Sequence, residues 1–386
     1  MQKHRLAVVG CGAFAQGVHL PSCQRNPRIE LVAVCDVDRN AGEMCKEKFG
    51  AQRVETDWRK IVEAKDIDVC ILATHTNLRE DFIIPALESG KPVYTEKPLS
   101  PSRKGMLDIV LASRRTGHPV CVGHNRRSAP AVLEFKRLLD KAKGTRGFAP
   151  AVDRTEGREL IPEEKYSQLL LRVNDDSRSW KSWVFFDEEG IMHAEMVHYI
   201  DLALWFNSSH PVRVFAEGSP RGNFTILIRF ADGSLSTLQH TMVGHFDYPK
   251  ELFEATVNNI TIALDQHIEV RQVGMDDEPI QKFFPYAKGC EWAKKPGMNG
   301  YMQELAAERE RAKKDRDMAR WINVNKGHYE QLDRFLDHIE GKGENPCDVE
   351  SAVLVNRVAL KVLESARLGL PIAVNPDDWH IPNVKN

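Results

Sequence analysis

Short runs of apolar and β-branched residues recur over the first third of the chain: LAVVG from Leu6, ELVAVC from Glu30, DVCILAT from Asp68, PVYT from Pro92 and PVCVG from Pro119. Between them lie stretches with helical spacing at Asn40–Phe49, Leu78–Ser89 and Ser102–Thr116. The strand runs lack polar alternation, as expected for strands covered on both faces. Strands alternating with helices of this length predict βαβ units and a parallel sheet. About six strands fit between Arg5 and Gly123, which makes one doubly wound Rossmann-type domain over 1–123.

The pattern changes after Gly123. A helix is predicted over Ala131–Lys141, then a break in KAKGTRGFAP. Alternating strand candidates follow at Gln168–Val173, Val212–Glu217, Phe224–Phe230, Leu235–Met242, Ala255–Val257 and Ile260–Leu264. Asp232–Ser234 (DGS) is a hairpin signal between two of them. With helices at Ile191–Phe206, Tyr329–Ile339 and Val349–Leu368, residues 124–386 read as a second α/β domain with a mostly antiparallel sheet. Met275–Asn325 stands apart as a polar, aromatic insertion. Its end, QELAAERERAKKDRDMARW, favours a solvated surface helix with a Glu310–Lys314 pair, or else an oligomer contact or lid.

Composition narrows the function classes. Of 386 residues, 42% are hydrophobic and 28% charged, which excludes a disordered chain. Lys plus Arg (53) nearly balances Asp plus Glu (55), which argues against a nucleic-acid or polybasic membrane binder. No apolar run approaches a bilayer span. The N-terminus carries no apolar signal segment, so a cytoplasmic protein is expected. Eight cysteines without a CxxC pair read as buried reduced thiols.

Three places carry candidate chemistry. The first strand ends in Gly10-Cys11-Gly12-Ala13-Phe14-Ala15, a GxGxxA turn that opens a helix and offers its N–H groups to a diphosphate. The second strand ends at Asp36, 24 residues beyond Gly12. A carboxylate there accepts from ribose hydroxyls and repels a 2′-phosphate, favouring NAD over NADP, although Arg39 could hold that phosphate. A loop-start residue or helix N-cap is the alternative for Asp36. Next, the fifth strand runs into Glu96-Lys97-Pro98. At the carboxyl edge of a parallel sheet, Lys97 would stand beside a nicotinamide and take a hydroxyl proton if its pKa falls toward neutrality. A surface lysine in a turn is the alternative. Finally, Glu195 and His198 share a face of the Ile191–Phe206 helix with Ile191, Leu202 and Trp205, and Asp201 is spaced to orient the imidazole. A satisfied core histidine is the alternative. His193, Glu195 and His198 do not match HExxH, and no metal is expected.

Together these residues resemble the Gfo/Idh/MocA oxidoreductases. The resemblance rests on GCGAFA at Gly10, ILATHTN at Ile71, EKPLS at Glu96, VGHNRR at Val122 and HAEMVHYIDLALW at His193, and covers nearly the whole chain. It implies a Rossmann domain followed by an open-sheet α/β domain, with NAD-dependent redox chemistry on a sugar or cyclitol carbon. Lys97 matches the catalytic lysine of the family's EKP motif, and His198 the histidine facing the reacting carbon. Glu195 joins them as a catalytic candidate. Thr74, His75, Asn77, Glu96 and Lys97 would border the cofactor. Lys97, Asn125, Arg126, Asn174, Trp183, Glu195 and His198 would border the substrate. Trp180 and Trp183 would stack on a sugar face, with core packing as the alternative. Many members carry an aspartate four residues before the histidine, and here that position is Ala194. A homo-oligomer, dimer or tetramer, is implied. Two other activities fit the same residues: a redox-cycling glycosidase or lyase acting through a 3-keto intermediate, and a non-catalytic sensor of NAD(H) or sugar.

Overall fold

The computed structural model describes residues 3–145, 166–180, 190–207, 209–219, 222–245 and 247–375. The chain divides into two compact units. The sequence expectation drew one boundary, between 123 and 124. In the structure the first segment runs through Ser128, and Gly327–Arg357 joins it. The second unit comprises Ala129–Lys326 and Val358–Asn375.

The first unit is built on six parallel strands: β1 (His4–Val9), β2 (Ile29–Cys35), β3 (Arg53–Glu55), β4 (Val69–Leu72), β5 (Val93–Thr95) and β6 (Val120–Val122). Their order is β3-β2-β1-β4-β5-β6. Successive side chains of a strand point to opposite faces, so an apolar run fills two cores at once. Ala7, Val9, Cys70 and Leu72 enter one cluster with Phe82, Ile83 and Ile109. Leu6, Val8, Val69 and Ile71 enter the other with Leu20, Cys45 and Phe49. Both faces are completed from the far end of the chain. Leu332, Phe335 and Leu336 of the helix His328–Ile339 cover one. Cys347, Val349, Ala352 and Val353 cover the other, the last three from the start of the helix Val349–Leu368. That is why Gly327–Arg357 belongs to this unit.

Among the described residues the second unit holds nine strands: β7 (Gln168–Asn174), β8 (Pro211–Ser219), β9 (Asn223–Phe230), β10 (Leu235–Thr241), β11 (Glu251–Val257), β12 (Ile260–Asp265), β13 (Glu269–Val273), β14 (Gln281–Phe283) and β15 (Ile372–Ala373). Their order is β14-β13-β12-β11-β7-β10-β9-β8-β15. β7 and β10 pair in parallel, and the other pairings are antiparallel. Burial alternates along β9, with Phe224, Ile226, Ile228 and Phe230 inside and Thr225, Leu227 and Arg229 outside. The expected hairpin at Asp232–Ser234 forms, with the Ser234 N–H donating to Asp232 Oδ1 at 2.9 Å. Phe253 is fully buried on the inner face. The rings of Phe135, Phe206, Tyr199 and His267 surround it at 6.0–6.5 Å.

The polar insertion departs from expectation. Its helix spans Gly297–Asp315 and is not merely a solvated surface element. Tyr301 and Leu305 close a small core with Ile268, Ile322 and Val324. The ion pairs here centre on Glu308, which takes Arg311 at 2.7 Å and Arg320 at 2.6 Å. Those two guanidiniums hold its carboxyl well below the usual carboxylate range. All eight cysteines are buried and none is in a disulfide, and burial pushes the Cys23 and Cys70 thiols up to about 12. No helix among the described residues is long and apolar enough to cross a membrane.

Because the ring cage around Phe253 cannot collapse far, Phe253→Ala should cost about 3–5 kcal/mol of unfolding free energy. Urea denaturation followed by circular dichroism measures it.

Candidate functional site

In the first unit the glycine turn is assembled as its sequence requires. Gly10 adopts φ +100°, and a Cβ there would stand 2.6 Å from the Ala73 carbonyl oxygen. Its N–H donates to Cys35 O at 2.8 Å, tying the end of β1 to the end of β2. Gly12 has open space where a Cβ would be, and Gly12, Ala13 and Phe14 are exposed while Ala15 is buried. Asp36 receives the Cys11 N–H at 2.7 Å and the Asp38 N–H at 3.0 Å. The helix that follows is capped by Asp38, not Asp36. Arg39 is exposed on that helix, 3.7 Å from Glu43. An open Gly12, exposed N–H groups at a helix start and a carboxylate at the end of β2 fit a dinucleotide. Thr74 is half-buried just beyond β4, and His75 and Asn77 are exposed around the turn Thr76–Leu78.

Glu96 and Lys97 follow β5 directly. The Glu96 carboxylate is 2.9 Å from His19 Nε2, and both side chains are largely buried. Burial pushes the Glu96 carboxyl up, but the His19 hydrogen bond and the charges of His19, Lys97 and His328 outweigh it and hold it below its usual value. Gly123 makes room for this group, because a Cβ there would lie 2.8 Å from the carboxylate. His19 ends a π-turn, Ala15–His19, and packs edge-on against Phe14 and Tyr94. Tyr94 in turn donates to Gln331 at 2.6 Å, whose amide donates to the Val122 carbonyl oxygen at 2.9 Å. Asn125 and Arg126 are buried in the short turn Asn125–Ser128 just beyond β6. His19 was missed by sequence reasoning. Its only signal was an imidazole seven residues past Gly12 on the helix that the glycine turn opens.

The second unit holds Asn174, Glu195 and His198, while Trp183 lies outside the described residues. Asn174 is half-buried at the end of β7 and donates to His245 O at 3.3 Å. Glu195 sits in a second π-turn, Met192–Met196, that leads into the helix Val197–Phe206. His198 and Asp201 are buried on that helix. Glu195 Oε1 accepts from Tyr199 Oη at 3.1 Å and from Lys250 Nζ at 2.7 Å. The same ammonium lies 2.7 Å from Asp175 Oδ2. Burial keeps the neighbouring His240 imidazole below its ordinary pKa, in a field that includes Glu195, Lys250 and Asp175. Lys250, Asp175 and His240 were also missed, since no spacing links a strand-end lysine to a helix 55 residues earlier, and Tyr199 was missed although it stands four residues past Glu195.

Residues 4–124 match the oxidoreductase family with an NAD-binding Rossmann fold, GFO_IDH_MocA. That stretch of the first unit carries the NAD-binding Rossmann domain of this family. It is similar to inositol 2-dehydrogenase 4 of Saccharopolyspora erythraea, with 37% identity over 136 residues, 35% of this chain and 40% of that protein. This chain thus spans about two fifths of the length of that relative. The uncharacterized oxidoreductase YrbE of Bacillus subtilis is 20% identical over 95% of both chains. The structure of scyllo-inositol dehydrogenase from Lactobacillus casei with bound NAD(H) and scyllo-inositol has a TM-score of 0.70 at 15% identity. It covers 96% of this chain and 99% of that one, a likeness of fold.

The depressed Glu96 carboxyl contributes stability above its ordinary pKa that is lost as pH falls through the lowered value. His19→Ala removes the hydrogen bond that leads the lowering causes. It should cost about 1.5–3 kcal/mol near neutrality and move acid unfolding to a higher pH, read by circular dichroism along an acid titration.

Proposed function

We propose that this chain is an NAD(H)-dependent dehydrogenase that moves a hydride to or from a hydroxyl-bearing ring carbon of a sugar, glycoside or cyclitol. Lys97 is the group that takes or returns the hydroxyl proton, with His198 assisting or replacing it and Glu195 setting the charge around the imidazole. The observation that carries the reading is the position of Lys97. It immediately follows a buried, ionised Glu96 at the carboxyl edge of a parallel sheet whose first turn is GxGxxA. Ligands of such sheets bind outside the carboxyl ends of the strands.

The bound nicotinamide would supply the hydride acceptor or donor. The N–H groups of Gly12, Ala13 and Phe14 hold the diphosphate, and Asp36 holds the ribose hydroxyls, with Thr74, His75 and Asn77 along the same edge. Asn125, Arg126, Asn174 and Trp183 are assigned to the substrate. The names of relatives such as inositol 2-dehydrogenase 4 support a cyclitol or a related ring. A homo-oligomer in the cytoplasm completes the reading.

Two measurements test it. A panel of sugars, glycosides and cyclitols with NAD, followed by nicotinamide absorbance and mass spectrometry, should show net reduction of NAD. Lys97→Ala should lower kcat by about 10²–10⁴-fold while NAD affinity stays within about threefold. Unchanged turnover would remove Lys97 from the mechanism. In a separate experiment, Asp36→Ala should narrow the preference for NAD over NADP by about tenfold or more, since the carboxylate no longer repels a 2′-phosphate.

A further inference from the structure

We propose that the Phe14 side chain is the platform for the nicotinamide ring, and that it makes the site favour the oxidised cofactor, NAD⁺, over NADH. The inference rests on the reading above for the place of the nicotinamide, beside Lys97, and adds to it a side chain and a rule of discrimination.

The sheet order gives the path of the cofactor. Asp36 stands at the end of β2, the glycine turn follows β1, and Lys97 lies just beyond β5, so the turn is between the ribose carboxylate and the lysine. Phe14 immediately precedes the π-turn Ala15–His19 and already has helical dihedrals, φ −70° and ψ −43°. Its ring lies toward β5. It packs against the His19 ring at 5.3 Å and 74°. His19 in turn meets Tyr94 of β5 at 5.4 Å, and its Nε2 is 2.9 Å from the Glu96 carboxylate. His328 packs on Phe14 at 5.9 Å and 65°. All of these residues belong to the first unit. Two contacts therefore connect the Phe14 ring to the residue that precedes Lys97.

These contacts leave the ring unfinished. Phe14 is 46% exposed, whereas Ala15 and Leu20 just after it are fully buried. A single exposed apolar side chain is ordinary on a protein surface. This one stands on the turn that takes the diphosphate, next to a Gly12 with open space where a Cβ would be. A dinucleotide that crosses Gly12 toward Lys97 brings its nicotinamide, the flat group at that end, to this ring. Contact between the two removes apolar surface of both from water.

The charge of the nicotinamide sets the preference. The oxidised ring is a cation, and the reduced ring is neutral. An aromatic face carries the negative side of a quadrupole, which attracts a cation and offers a neutral dihydropyridine no such gain. Leucine in place of Phe14 keeps apolar bulk and removes the quadrupole. The titratable groups around Glu96, namely His19, Lys97 and His328, stay as they are in that variant. A changed preference between the two oxidation states then reports the ring itself.

The test uses the full chain and reads binding without turnover. Affinities for NAD⁺, NADH and ADP-ribose are measured by calorimetry. Phe14→Leu should weaken NAD⁺ about fivefold relative to NADH. Affinity for ADP-ribose, which lacks the nicotinamide, should stay within about twofold, the span of a lost packing contact at an exposed site. Phe14→Tyr, which keeps the ring, should retain the wild-type preference. Should Phe14→Leu fail to fold, Phe14→Ile carries the same test. An unchanged ratio of NAD⁺ to NADH affinity would overturn the proposal. A larger loss for NADH would overturn it as well, and so would an equal loss for all three ligands, which would leave Phe14 only shaping the turn. The two readings fail separately. Turnover that survives Lys97→Ala sinks the assignment of Lys97 and leaves the binding ratio standing, while a ratio that survives Phe14→Leu does the reverse.

Discussion

A parallel sheet has no face it can leave to water, and the architecture of the first unit follows from that constraint. Its strands are apolar along their whole length because each inner and outer position must be covered. The helices connecting the strands do not finish the task alone. The helix His328–Ile339 and the start of Val349–Leu368 complete the two cores with Phe335 and Leu336 on one side and Val349 and Val353 on the other. Covering the faces leaves the strand ends as the place where polar groups can gather. There the chain puts its glycine turn, Asp36, Glu96 and Lys97.

Glu96 shows what holding a charge at that edge requires. A carboxylate taken from water must regain its hydrogen bonds or take up a proton. His19 supplies one bond, Gly123 leaves the space, and the positive charge of Lys97 adds to the field. The ring packing of His19 with Tyr94 and the Tyr94–Gln331–Val122 relay fix the imidazole from behind. The second unit repeats the principle with different residues. Glu195 is satisfied by Tyr199 and Lys250, and Lys250 by Asp175.

Much of this was legible from periodicity, because local patterns report burial. Five of the six parallel strands, the GxGxxA turn, the DGS hairpin and the bounds of Val349–Leu368 appear where the pattern put them, whereas β3, three half-buried residues, had no run to mark it. Edge strands were not legible. β14 is three exposed residues and β15 two, too short to carry a period. The insertion was misjudged because Tyr301 and Leu305 are sparse among charges, and only pairing with Ile322 and Val324 makes them a core. His19, Asp175 and Lys250 were invisible for another reason. Their partners are far along the chain, so no window contains both members of a pair.

The two π-turns bear on the site in the same way. A π-turn inserts a residue into the helical repeat, and at about 100° per residue it rotates everything beyond it relative to everything before. A helical wheel drawn through Ile191, Glu195, His198, Leu202 and Trp205 assumes a regular repeat, and the turn Met192–Met196 breaks it. Glu195 is thereby released to reach the strand-end lysine while Leu202 stays in the core. The turn Ala15–His19 likewise leads from the glycine turn to the imidazole that meets Glu96. In each unit, an irregular turn next to a regular helix separates the residues that hold the fold from those that hold a charge. The apolar stripe can then serve packing while one side chain serves the site.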